Sequence, residues 1–131
     1  MDGNNRWSKK NSKNLYEAYY SGAKKLVSLS KYLFDHYELN YISAFALSKK
    51  NLKRSSAIIK TLRKVLEYFL NHENKLINRN FQIYFKGDFS FLDEKSIDKI
   101  YSLEKSNPNS KKKLIIYINY SGKDDIIKSC N

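Results

Sequence analysis

Two hydrophobic periods alternate along this chain, and that alternation limits the folds open to it more than any other feature. From Asn14 to about Phe34, apolar or small residues fall at Leu15, Tyr19, Gly22, Leu26, Leu29 and Leu33, in alternating steps of four and three. This is the stripe of a helix packed on one face. Leu39 to Leu47 is apolar, aromatic and uncharged, as a short buried strand requires. Ser48 to Arg54 then reads as the loop leaving its carboxyl end. Ser55-Ser56 offers an N-cap for a second helix, with a stripe of Ile58, Ile59, Leu62, Val65, Leu66, Phe69 and Leu70 running on towards Ile77.

The alternation continues to the end of the chain. Phe81 to Phe85 reads as a strand stopping at Gly87, and Ile97, Ile100 and Leu103 mark a shorter helix ending before Asn107-Pro108. Lys111-Lys112-Lys113 reads as a solvated loop, Leu114 to Ile118 as the clearest strand, and Asp124-Asp125 as the cap of a last helix. Strands alternating with helices predict an α/β architecture: a mainly parallel sheet flanked by helices, with functional loops at the carboxyl ends of the strands. No repeat, heptad pattern or low-complexity linker interrupts it.

A length of 131 residues predicts one domain, and 41% hydrophobic with 15% aromatic residues is too apolar for a disordered chain. The net charge of +12 draws any polyanion and raises nucleic-acid binding as a rival function. Most of that charge is spread lysine, however, which usually makes a solvated surface, and no nucleic-acid recognition motif accompanies it. The single cysteine, Cys130, excludes an internal disulfide. No apolar run reaches the roughly 18 to 20 residues of a membrane span, and the start lacks the apolar core of a signal peptide. A cytoplasmic protein is expected.

Met1-Asp2-Gly3-Asn4-Asn5-Arg6-Trp7 gathers a carboxylate, a turn glycine, amides, a guanidinium and an indole into one expected loop. That mixture suits a metal-bound diphosphate. The stretch resembles the signature of the cis-prenyltransferases, makers of undecaprenyl and dehydrodolichyl diphosphates. Ala46-Leu47-Ser48-Lys49-Lys50-Asn51-Leu52-Lys53-Arg54 is similar to that family's Ala-Phe-Ser-x-Glu-Asn-Trp-x-Arg, matching at Ala46, Ser48, Asn51 and Arg54. Gly87-Asp88-Phe89-Ser90-Phe91-Leu92 resembles its Gly-Asp-x-Ser-x-Leu turn, and Asn119-Tyr120-Ser121-Gly122-Lys123 its Asn-Tyr-Gly-Gly-Arg. The four blocks keep the family's order and correspond to roughly the first half of its catalytic domain.

The resemblance implies Mg²⁺-dependent condensation of isopentenyl diphosphate with an allylic diphosphate such as farnesyl diphosphate. It makes Asp2 the metal ligand and, with Asn51, a catalytic residue, Asn51 helping proton removal. Gly3, Asn4, Asn5 and Arg6 would hold the allylic diphosphate under Trp7. Ser48, Lys49, Lys50, Leu52 and Arg54 would complete the substrate surface, and the growing tail would lie in an apolar groove between the first two helices and the sheet. A homodimer, a complete-enzyme partner and peripheral membrane contact are further implications. Read without the other blocks, Asp2 is a turn or helix cap, and a lone Trp after a loop is more often a core anchor, a role Trp7 could combine with covering the pocket.

Several positions depart from the family pattern. Lys50 reverses the charge of a glutamate, Leu52 replaces a tryptophan, Asn5 replaces a glycine, and Leu15 and Tyr19 stand where bacterial members carry Arg and His. These departures, and the missing Arg-Thr-Gly-Gly-Glu-x-Arg block, favour a second reading: an impaired fragment or a non-catalytic subunit. The sheet is expected to be open at two edges. Asp124-Asp125-Ile126-Ile127-Lys128 lacks the third acid of a trans-prenyl synthase box, and His36 and His72, without partners at metal spacing, read as surface helix residues.

Overall fold

The computed structural model describes residues 3–52, 56–72 and 81–130. Helix α1 spans Asn4–Lys10 and α2 spans Leu15–His36, followed by strand β1, Tyr41–Phe45. A short helix α3, Lys49–Leu52, precedes the long α4, Ser56–His72. Then come β2, Gln82–Gly87, helix α5, Glu94–Glu104, strand β3, Lys113–Ile118, and helix α6, Gly122–Ser129. The expected extension of α4 to Ile77, and Ser55 before it, lie outside the described residues.

The sheet is parallel throughout and ordered β1-β3-β2, so β1 and β2 are the two expected edges. Because side chains alternate across a strand, the register puts Ala44, Leu114, Ile116, Ile83 and Phe85 on one face, against Phe34 of α2, Leu70 of α4 and Ile100 of α5. The other face carries Tyr41, Ser43, Phe45, Tyr84, Ile115 and Tyr117. None of these belongs to the core. Tyr41 is 64% exposed, so β1 is buried on one face only and not, as its composition suggested, on both.

Local chemistry sets the element ends. Asn14 and Glu17 form a reciprocal capping box, Asn14 Oδ1 accepting from the Glu17 amide at 2.8 Å and Glu17 Oε2 accepting from the Asn14 amide at 3.0 Å. At the opposite end of the chain, Ser121 and not Asp124 caps α6, its hydroxyl accepting from the Asp124 amide. At the outer edge of β2, the Glu104 side chain of α5 accepts from the Phe85 amide at 2.8 Å.

The expected stripe of α2 is rotated. The residues that pack inward are Ala18, Ala23, Leu26, Val27, Ser30 and Phe34, whereas Leu29 is 46% exposed. Small residues let α2 approach α4, and the largest residue of the right face, Phe34, fixes the rotation by packing on Phe81 at a ring-centroid distance of 5.2 Å. The lysine run also departs from a solvated loop. Lys113 opens β3, and Lys112 Nζ donates to the Phe34 carbonyl at 2.6 Å, tying the run to the end of α2. His36 and His72 are indeed exposed, each stacked on the tyrosine four residues earlier.

Gly87 ends β2 hard against the Ile118 carbonyl of β3. Its φ of 137° is unfavourable to L side chains, and a Cβ there would stand 1.7 Å from the Ile118 carbonyl oxygen. Backbone cannot yield as a side-chain tip can. Gly87→Ala is therefore expected to destabilise the fold by about 2 kcal/mol or more, read as a lowered urea midpoint.

Candidate functional site

The N-terminal block is a helix start and not the open loop its composition suggested. Gly3 takes a left-handed φ of 87°, turning the chain into α1, where the Trp7 amide donates to the Gly3 carbonyl at 2.8 Å. Asn4, Asn5, Arg6 and Trp7 thus lie on the first turn. The Arg6 guanidinium folds back to within 3.9 Å of the place a Gly3 Cβ would occupy, and remains exposed. Trp7 is 45% exposed, which rules out a core anchor. Ser8 holds the turn from inside, its hydroxyl donating to the Asn5 carbonyl at 2.8 Å. Asp2 lies outside the described residues.

Beside this turn lies an apolar cavity of about 100 Å³ between α2, α4 and the core face of the sheet. Tyr19, Ala23 and Leu26 form one wall, Leu62, Val65 and Phe69 a second, and Phe85 and Ile116 the floor. Ala46 and Leu47 line it from the second block and Asn4 from the first, so one polar N-terminal residue stands against an otherwise greasy chamber. The chamber lies where a groove was expected, between two helices, α2 and α4, and the sheet.

The remaining blocks meet at the carboxyl ends of the strands. Ser48 bridges to Tyr120, with the Lys49 amide donating to the Tyr120 carbonyl at 3.2 Å and the Tyr120 amide to the Leu47 carbonyl at 3.3 Å. Asn119, at a φ of 51°, reaches across to the third block, its Nδ2 donating to the Asp88 carbonyl at 2.9 Å. Asparagine tolerates that backbone conformation better than most residues. A second, polar cleft of about 480 Å³ is lined there by Lys49, Lys86, Asp88, Tyr120, Asp124 and Lys128, among others.

Lys49 is ion-paired to Asp124, a partner 75 positions away that no local pattern announced. The pair's hydrogen bond raises the Lys49 pKa and lowers that of Asp124. Hydrogen bonds from Ser90 lower the Asp88 pKa, and donation to Asp125 at 2.9 Å raises that of the Tyr120 hydroxyl. Ser48 is half-buried and Lys50 exposed. Asn51 and Leu52 fall on α3, which replaces the expected loop, and Arg54 lies outside the described residues. Among the described residues no three His, Cys, Asp or Glu side chains come together as a metal centre would need. No described helix is long and apolar enough to cross a membrane.

Comparison with known proteins agrees with this arrangement. The prenyltransferase family described as undecaprenyl diphosphate synthase matches residues 1–131. Dehydrodolichyl diphosphate synthase 4 of Arabidopsis thaliana is 30% identical over 99% of this chain and 45% of its own length. A tritrans,polycis-undecaprenyl-diphosphate synthase of Pyrobaculum aerophilum is 32% identical over 97% of this chain and 55% of its own. The crystal structure of lavandulyl diphosphate synthase from Lavandula x intermedia, in complex with dimethylallyl diphosphate, superposes with a TM-score of 0.82 at 25% identity, covering 99% of this chain and 56% of that one. The chain thus spans about half the length of the relatives it matches.

The Lys49–Asp124 pair has opposite pH limits at its two ends. Asp124 is held below its ordinary pKa, so its contribution is present above that value and is lost as pH falls through the lowered one. Lys49 is held above its own, so the contribution is present below the ordinary lysine value and is lost as pH rises through the raised one. Asp124→Asn should move the Lys49 pKa back down, read by NMR titration of the side-chain amine; an unmoved titration would refute the pairing.

Proposed function

The chain belongs to the cis-prenyltransferase family, and from that premise we propose that it binds an allylic diphosphate and takes part in its condensation with isopentenyl diphosphate. The observation that carries this reading is the apolar cavity with Asn4 at its wall and Arg6 on the same turn. Such a chamber suits an isoprenoid tail, which gains by leaving water, while the charged head remains outside. Arg6 would bond two diphosphate oxygens at once, which a lysine cannot reproduce.

Asn51 would help remove the proton lost from the isopentenyl unit, and Ser48 and Arg54 would hold its diphosphate. Lys49 would join them only by exchanging Asp124 for phosphate. Lys50 would add positive charge where the family has a glutamate, and Leu52 would offer an aliphatic surface in place of an aromatic one.

Magnesium fits the donor chemistry, since it prefers oxygen ligands and commonly takes one or two carboxylates together with substrate phosphates. Asp2 would hold it. When bound, it would neutralise diphosphate charge and so favour departure of that group from the allylic carbon. A second reading, an impaired half or a non-catalytic subunit, is favoured by the chain's matching only about half of its relatives' length. A cytoplasmic location, with contact at a membrane surface through a polyprenyl product, follows from either.

Two measurements test the proposal. Mg²⁺-dependent transfer of labelled isopentenyl diphosphate onto farnesyl diphosphate should be abolished by Asp2→Ala; no transfer by folded protein would favour the subunit reading. Ala23→Phe, which fills the cavity, should weaken farnesyl diphosphate binding about tenfold or more, equivalent to about 1.4 kcal/mol, and leave isopentenyl diphosphate binding unchanged. Equal loss for both ligands would show that the cavity does not hold the tail.

A further inference from the structure

Lys49 belongs to the second block of sequence, yet its ammonium is held by a carboxylate just beyond the fourth, through the ion pair with Asp124. Backbone contacts fix that meeting. Ser48 bridges to Tyr120, the Lys49 amide donates to the Tyr120 carbonyl at 3.2 Å, and the Ser121 hydroxyl accepts from the Asp124 amide at 3.3 Å, so α6 starts beside Ser48 and Lys49. Asp124 is thus tethered at Lys49, and a tethered group competes at an effective concentration on the order of millimolar. Both side chains keep contact with water, Lys49 being 47% and Asp124 39% exposed. An exposed pair of this kind exchanges partners at little cost.

Asp124 also has a second lysine within reach. Lys128 stands four residues on along α6, the spacing at which side chains meet on a helix, and its charge adds to the lowering of the Asp124 pKa that the Lys49 hydrogen bond begins. The charges of both lysines act on Asp88 too, although the Ser90 hydrogen bonds do more to lower its pKa. With Lys86 and Asp125, the cleft sets three ammonium groups against three carboxylates. A balanced cleft draws an anion weakly, so a phosphate gains most by taking a lysine over from a carboxylate.

We propose that Asp124 is a positioning residue with two positions of its own: on Lys49 it holds that ammonium beside Ser48 in the free protein, and on Lys128 it leaves Lys49 to the head group of isopentenyl diphosphate. The proposal rests on the reading of Ser48 and Lys49 as part of that diphosphate surface. Asp124 then competes with the head group, lowering its affinity and hastening its departure. Only one side chain has to move, because the Tyr120 hydroxyl donates to Asp125 and not to Asp124, and the turn between β3 and α6 stays as it is.

The test is calorimetric titration of the whole chain with isopentenyl diphosphate. Asp124→Asn should tighten binding about threefold to fivefold, the range that loss of an exposed ion pair allows, and a merely structural residue would give no such gain. Lys128→Gln, which removes the second position, should weaken binding about twofold, and only while Asp124 is present. Asp125→Asn makes the same change of charge in the same cleft and should leave the affinity within about twofold of the unaltered protein. In a Lys49→Met background Asp124→Asn should bring no gain. Binding that Asp124→Asn leaves unchanged or weakens, an equal gain from Asp125→Asn, a gain that persists without Lys49, or a Lys128→Gln loss that persists without Asp124 would each overturn this proposal alone. Absence of isopentenyl diphosphate binding by every folded variant would overturn it together with the reading of the site on which it rests.

Discussion

Everything in this structure hangs on the pairing of β3 between β1 and β2. Leu114, Ile116 and Ile118 enter the core from one side of that strand, and their parallel partners Ala44, Ile83 and Phe85 follow from the register. A slip of one residue would exchange this face for Lys113, Ile115 and Tyr117, placing an ammonium in the core. Gly87 leaves the room that the Ile118 carbonyl occupies. With the register fixed, the carboxyl ends of three strands converge, and segments distant in sequence become neighbours.

That convergence divides the functional region into two chemically different halves. On the core side, small residues at Ala23 and Ala46 leave an apolar chamber among larger neighbours, with the turn of Gly3 to Arg6 beside it. At the strand ends, Lys49, Asp88, Tyr120 and Asp124 make a polar cleft whose charges largely satisfy one another. The isoprenoid diphosphate proposed as ligand has the same division, an insoluble tail and a charged head.

Tyr41 and Phe45 expose aromatic surface on one face of the sheet, and the net charge of +12 opposes association of two copies there. The lysine run that read as a solvated loop is, at Lys112 and Lys113, part of the packing. One ties the end of α2 to the sheet, and the other stands between two tyrosines on that face.

The sequence by itself determined the order of strands and helices, the parallel α/β class, the inward stripe of α5 and the four blocks that carry family membership. Each of these is written in short-range periodicity or contiguous motifs, where neighbours in sequence are neighbours in space. Only the tertiary structure decided which face of α2 turns inward, because Phe34 had to meet Phe81, and that Asn4 to Trp7 form a helical turn, whose first carbonyl, that of Gly3, accepts from the Trp7 amide. The Lys49–Asp124 pair, the cavity between α2 and α4 and the exposure of Tyr41 and Phe45 on the sheet were equally hidden. They are properties of surfaces brought together across dozens of residues, and no local pattern records what lies on the other side of such a contact.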